Sequence, residues 1–219
     1  MSVKSRDMYN SLIVGAVESV AAWTRACLEG AECDILDVDL GSIPGAEVPK
    51  GGAALPVMAS LPAGSTPDDF GRFLASPLSR SVRYARIHLA DLARMTGARA
   101  EAERRGFELV ARVDYASVPT LRRMAGDEVF ASNLGARRIC VAYKASKVAD
   151  LDAGLNFLAT ARMPASVSCR GRLGAASRVL FAGGGSDMVW GAVGPAPDSE
   201  GRVSVRVLRE LSLQLSACA

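Results

Sequence analysis

Apolar residues recur at helical spacing through residues 11–29, and Gly30 stands where a helix C-cap favours a residue without a Cβ, so the pattern predicts a helix. Residues 33–40 then alternate, with Leu36, Val38 and Leu40 set against Asp37 and Asp39, as in a strand with one wet face. Residues 41–65 are dominated by Pro, Gly and Ala and predict a long irregular loop in which only 55–61 is apolar enough to pair. Thr66-Pro67-Asp68-Asp69 is a helix start, because Thr can cap, Pro fits the first turn and two acids favour the positive end of the dipole. A longer helix is predicted from Pro77 toward Arg105, stopped by Gly106. Leu78, Val82, Ala85, Leu89 and Leu92 form its apolar stripe, and Arg80, Arg83, Arg86 and Arg94 its opposite face.

Alternation over 107–115 predicts a half-buried strand, Ser117 and Pro119 open a helix that closes near Gly135, Ile139, Val141 and Tyr143 mark a strand, and 148–158 a helix ended by Pro164. From Ala165 onward the pattern predicts only strands, over 165–169, 178–182, 188–193 and 202–216. The last keeps Val203, Val205, Val207, Leu211, Leu213 and Leu215 on one parity, as one long strand or two joined by a bulge near Arg209. Doubly covered parallel strands should be continuously apolar, and nearly every strand here alternates. The expected fold is therefore α+β: one domain over residues 1–219, with a mixed or mainly antiparallel sheet, helices on one face and an all-β region at 165–219.

Composition excludes a disordered chain, a collagen or a coiled-coil rod, since 49% of the 219 residues are hydrophobic and 22% charged. The longest charge-free stretch, 51–67, contains Pro56, Pro62 and Pro67 and cannot span a membrane as a helix. Cys27, Cys33, Cys140, Cys169 and Cys218 include no C-x-x-C pair, so free thiols in a reducing, cytoplasmic compartment, or a particle assembled there, are expected, with no structural zinc, no other metal and no cofactor. The net charge of +3 is unevenly spread. Residues 1–71 carry 4 basic and 10 acidic side chains, residues 72–138 carry 13 and 7, and residues 139–219 carry 9 and 6. The middle block suits an acidic partner or nucleic acid through Arg80, Arg83, Arg86, Arg94, Arg122, Arg123, Arg137 and Arg138, although arginine on a solvated helix face is the plainer reading.

Candidate chemistry is sparse. Gly183, Gly184, Gly185 and Ser186 follow a predicted strand and could cradle a phosphate or acyl oxyanion, but no helix is expected after them, so a hairpin connection is the plainer reading. His88 sits on the flank of the expected long helix, with Asp91 three residues on. A nucleophile such as Cys140 or Ser186 would have to reach it through tertiary folding, and His88 is expected to be structural. Asp37, Asp39 and Asp114 could hold magnesium if their strands were neighbours. Neither a G-x-S-x-G elbow nor an H-E-x-x-H helix occurs.

The sequence therefore favours a non-enzymatic structural or assembly subunit, of the viral or secretion type, that works as a homo-oligomer or within a larger complex and touches nucleic acid through the basic block. It leaves two alternatives. One is a small α+β enzyme with an anion-binding Gly183 to Ser186 loop. The other is a dedicated RNA- or DNA-binding domain, which requires the arginines to share one face.

Overall fold

The computed structural model describes residues 11–17, 19–29, 31–43, 55–193 and 202–217. Residues 44–54 of the expected 41–65 loop, together with Cys218 and the Cys27 side chain, lie outside the described part. Eight strands follow one another: β1 (Leu12–Val17), β2 (Ile35–Asp39), β3 (Val57–Ser60), β4 (Val82–His88), β5 (Glu108–Tyr115), β6 (Arg138–Lys144), β7 (Ala165–Arg170) and β8 (Met188–Ala192). Eight helices lie between and after them: α1 (Val20–Glu29), α2 (Pro67–Ala75), α3 (Leu89–Leu92), α4 (Ala98–Arg105), α5 (Leu121–Asn133), α6 (Leu151–Thr160), α7 (Gly174–Gly183) and α8 (Val205–Ala217). No helix among the described residues is long and apolar enough to cross a membrane.

All strand pairs are parallel, and the strand order is β7-β6-β5-β4-β3-β2-β1-β8. The sheet curls until β7 and β8 meet. Their seam is made partly by side chains: Asp187 N donates to Ala165 O at 2.8 Å, Met188 N to Ser166 Oγ at 2.9 Å and Val167 N to Ser186 Oγ at 3.3 Å. Ser186 Oγ in turn donates to Met188 O at 3.0 Å. Replacing Ser186 by Ala removes the acceptor for a buried amide and is expected to cost about 1–2 kcal/mol. Urea melts showing a loss below 0.3 kcal/mol would mean that the seam does not depend on this hydroxyl.

The outward row of each strand packs on the helices in a continuous core that includes Val17, Leu36, Val57, Ile87, Leu109, Val141, Phe157 and Phe181. Val14, Ile35, Met58, Tyr84, Val110, Cys140, Met188 and Trp190 form a second cluster inside the barrel. The predicted start of α2 is confirmed: Thr66 and Asp69 exchange bonds in a capping box, with Asp69 N donating to Thr66 Oγ1 at 3.2 Å and Thr66 N to the Asp69 carboxylate at 2.7 Å.

The expected mixed or antiparallel α+β sheet is thus replaced by an all-parallel barrel. Alternation was read as one face toward solvent, whereas the polar row here faces the barrel interior. The long helix expected after Pro77 contains strand β4, and the helix expected over 11–29 is β1 followed by α1. The all-β C-terminal region is also corrected, since 178–182 lies within α7 and 205–217 is α8. One residue pattern misled in both places: a short Val- and Leu-rich run alternates with Ser and Arg equally well on either secondary structure.

Candidate active site at the C-terminal mouth of the barrel

Parallel strands bring all their C-terminal ends to one face, where the inward rows end in polar side chains. On the β2, β3, β4 and β8 side, Asp37 is buried at 3% exposure and saturated. It accepts from Ser60 Oγ and from Trp190 Nε1 at 2.9 Å, and it pairs with Arg86 at 2.9 Å. Arg86 Nε also donates to Ser60 Oγ at 2.8 Å, and its guanidinium lies 5.1 Å from the centroid of the Trp190 ring. Four strands thereby fix one guanidinium in place.

A second network stands on β4, β5 and β7. Arg112 Nε donates to Asp114 at 2.7 Å, and His88 Nε2 and an Arg170 nitrogen each lie 3.5 Å from the same carboxylate. Burial alone would raise the Asp114 pKa, but the His88 contact and the two guanidiniums outweigh it and hold it down at about 2. The group is therefore a permanent anion at any physiological pH. Folding stability drawn from this pairing is complete above the ordinary carboxylate range and is lost as pH falls toward 2.

Between the networks opens a pocket of about 450 Å³ including its mouth, lined on the barrel side by Arg86, Arg112, Cys140, Ser166, Ser168 and Trp190 and closed by Arg178 and Arg202. In register across four strands, His88 pairs with Arg112, Arg112 with Cys140 and Cys140 with Ser166, so these four occupy one inward row. Burial pushes the Cys140 thiol up to about 12, despite the nearby Arg86, so it is no thiolate near neutral pH.

The basic block does not share a face. Arg86 is in the pocket. Arg138 lies at the opposite, N-terminal end of the lumen, paired with Glu108 at 3.1 Å and with Asp187, and stacked 5.5 Å from the Tyr84 centroid. Arg80, Arg83 and Arg137 are exposed near that same N-terminal end, at the starts of β4 and β6. Arg94, Arg122 and Arg123 are exposed beyond the other ends of β4 and β5, with Arg94 paired to Asp91 and Arg123 over the Tyr115 ring at 5.1 Å.

Gly183, Gly184, Gly185 and Ser186 form the turn from α7 into β8, at the end of the barrel away from the pocket, where Ser186 serves the seam. His88 ends β4 and directly precedes α3 instead of lying along the expected long helix, and Asp91 turns elsewhere, accepting from Gly64 N at 2.7 Å. Asp37 and Asp114 lie on strands separated by β3 and β4, each against arginine, and no group of three metal-capable side chains occurs among the described residues. Sequence reasoning missed Ser60, Arg112, Ser166, Ser168, Arg170, Arg178, Trp190 and Arg202. The available signal was repetition: Arg86 and His88, Arg112 and Asp114, and Ser166 and Ser168 are polar pairs two residues apart within strands β4, β5 and β7.

No family model and no curated protein sequence matches the chain. Solved structures do. The chain is similar to type I 3-dehydroquinate dehydratase from Clostridium difficile, with a TM-score of 0.78 and 13% identity, covering 96% of this chain and 94% of that one. It is similar to 3-dehydroquinate dehydratase from Geobacillus kaustophilus, with a TM-score of 0.77, 17% identity and coverage of 94% and 91%. A third likeness is to 3-hexulose-6-phosphate synthase from Salmonella typhimurium, with a TM-score of 0.59, 15% identity and coverage of 93% and 99%. The expectation of a non-enzymatic structural or assembly subunit is overturned here: these neighbours are enzymes throughout, and the long terminal strand it relied on is α8. The nucleic-acid alternative loses its stated requirement with the scattering of the arginines. The architecture is that of a TIM-type (β/α)8 barrel.

Proposed function

We propose that the protein is an enzyme that moves a proton on a small substrate bearing a carboxylate or phosphate, held in the C-terminal mouth of the barrel. One observation carries this reading: the Arg86 and Arg112 guanidiniums line the same pocket, and Arg112 shares the Asp114 carboxylate with His88. The arginines hold the anionic group. His88 is the acid–base group, its Nε2–H directed at Asp114 so that Nδ1 is left to face the substrate. The sequence-based view of His88 as structural rested on its place along a helix, and that place does not exist.

The remaining lumen chemistry supports proton transfer over covalent catalysis. Cys140 is a buried thiol, and no lysine stands on the inward rows below Lys144 among the described residues. The neighbours' names denote enzymes of a small carboxylate and of a sugar phosphate, which agrees with an anionic substrate. The barrel mouth is also where enzymes of this architecture place their chemistry.

The test is anion binding. Inorganic phosphate or a short monocarboxylate should raise the melting temperature of the unaltered protein, and Arg112→Met should weaken that binding about tenfold, the cost of one charge-assisted contact. Equal binding by the two proteins would place the anion elsewhere and overturn the reading.

A further inference from the structure

Two cations stand above the pocket on the rows that line it. Ala142 of β6 and Ser168 of β7 are pocket walls and pair in register, and two residues further along the same inward rows Lys144 pairs with Arg170. Like charges directly opposed on one face of neighbouring strands repel. Among the described residues the carboxylate beside them is Asp114, 3.5 Å from Arg170, and it already receives Arg112 at 2.7 Å and His88 at 3.5 Å. Arg170 is further tied by donating to Tyr115 O at 3.2 Å. The Lys144 side chain is exposed and makes no ion pair or hydrogen bond among the described residues.

We infer that Lys144 and Arg170 form a second anion-binding subsite at the rim, so that the substrate carries two anionic groups, one at Arg86 and Arg112 and the other at the rim. This rests on the mouth being the substrate site. The spacing sets the substrate's length. Arg112 is in register with Cys140, four residues before Lys144, which is roughly 13 Å of strand. Arg112 lines the pocket and Lys144 is exposed above it, so that interval is the upper limit on the separation of the ligand's two anionic groups. The ligand class is a dicarboxylate or phosphocarboxylate of about four to six carbons. A monoanion held at Arg86 and Arg112 would leave Lys144 without an anionic partner among the described residues.

The experiment is calorimetric titration with the dicarboxylates from malonate to pimelate, each beside its matched monocarboxylate. The unaltered protein should bind the best dicarboxylate at least tenfold more tightly than its monocarboxylate. Lys144→Met should abolish that advantage and leave monocarboxylate binding unchanged. Arg112→Met should weaken both. Equal affinity for the two ligand types, or a Lys144→Met variant that retains the dicarboxylate advantage, overturns the inference. If that happens while Arg112→Met still weakens monocarboxylate binding, the mouth remains the substrate site and only the rim subsite falls. If Arg112→Met changes nothing while Lys144→Met removes the advantage, the rim binds anions and the pocket reading fails instead.

Discussion

A His88→Gln enzyme should turn over its substrate about a hundred to ten thousand times more slowly than the unaltered protein, the usual range for loss of a general acid or base. The variant should bind anions as before and melt at nearly the same temperature. Gln is close in size and keeps an N–H that can reach Asp114, but its amide cannot act as a general acid or base. The loss should therefore fall on kcat and spare KM, the pattern of a group needed only as the reaction proceeds. Turnover within fivefold at saturating substrate would return His88 to a structural role. It would also leave proton transfer without a histidine, since the sequence contains one only.

The largest effect on stability is expected at Asp37. Asp37→Ala strands the Arg86 guanidinium, whose side chain is only 11% exposed, and deprives both the Trp190 N–H and the Ser60 hydroxyl of an acceptor. Removing one member of a buried ion pair costs about 3–5 kcal/mol, because the survivor stays desolvated and unmatched. Equilibrium denaturation should show a loss of this size. The double variant Asp37→Leu with Arg86→Met should recover the part of it due to the unmatched guanidinium, since a buried pair replaced by apolar groups of similar volume is close to neutral, while the Trp190 N–H and the Ser60 hydroxyl still lack their acceptor. A double variant no more stable than Asp37→Ala would mean that the ion pair is not what holds this part of the lumen together.

Local structure was largely legible from the sequence where an element stood apart from its neighbours. Strands β2, β5, β6, β7 and β8 and helices α2, α5 and α6 coincide with expected elements to within a few residues. Legibility failed where a strand runs straight into a helix. Val82, Ala85, Leu89 and Leu92 keep helical spacing across the junction of β4 and α3, because outward strand residues and the following helix bury against the same layer. The direction of the sheet could not be read from alternation, which reports that one strand face is polar but not what that face meets. In Arg112 and Asp114 it meets other side chains across a lumen. The candidate site was opaque for the same reason. Asp37, Arg86, Ser60 and Trp190 span more than 150 positions of sequence, and only barrel closure makes them neighbours.

That closure also bears on how the chain is made. β1 pairs with β2 on one side and with β8 on the other, Leu12 opposite Met188 and Ala16 opposite Ala192. As the chain emerges during synthesis, the second edge of β1 has no partner until β8 has been produced, after the other six strands. The strand that waits is LIVGAV, uncharged and apolar, with the features of an aggregation-prone edge. Its pairing carries a large loop-closure cost, so barrel closure is a late event in folding. Chaperone dependence in the cell would then be concentrated on the N-terminal strand, and a nascent chain stalled before β8 would expose that strand the longest.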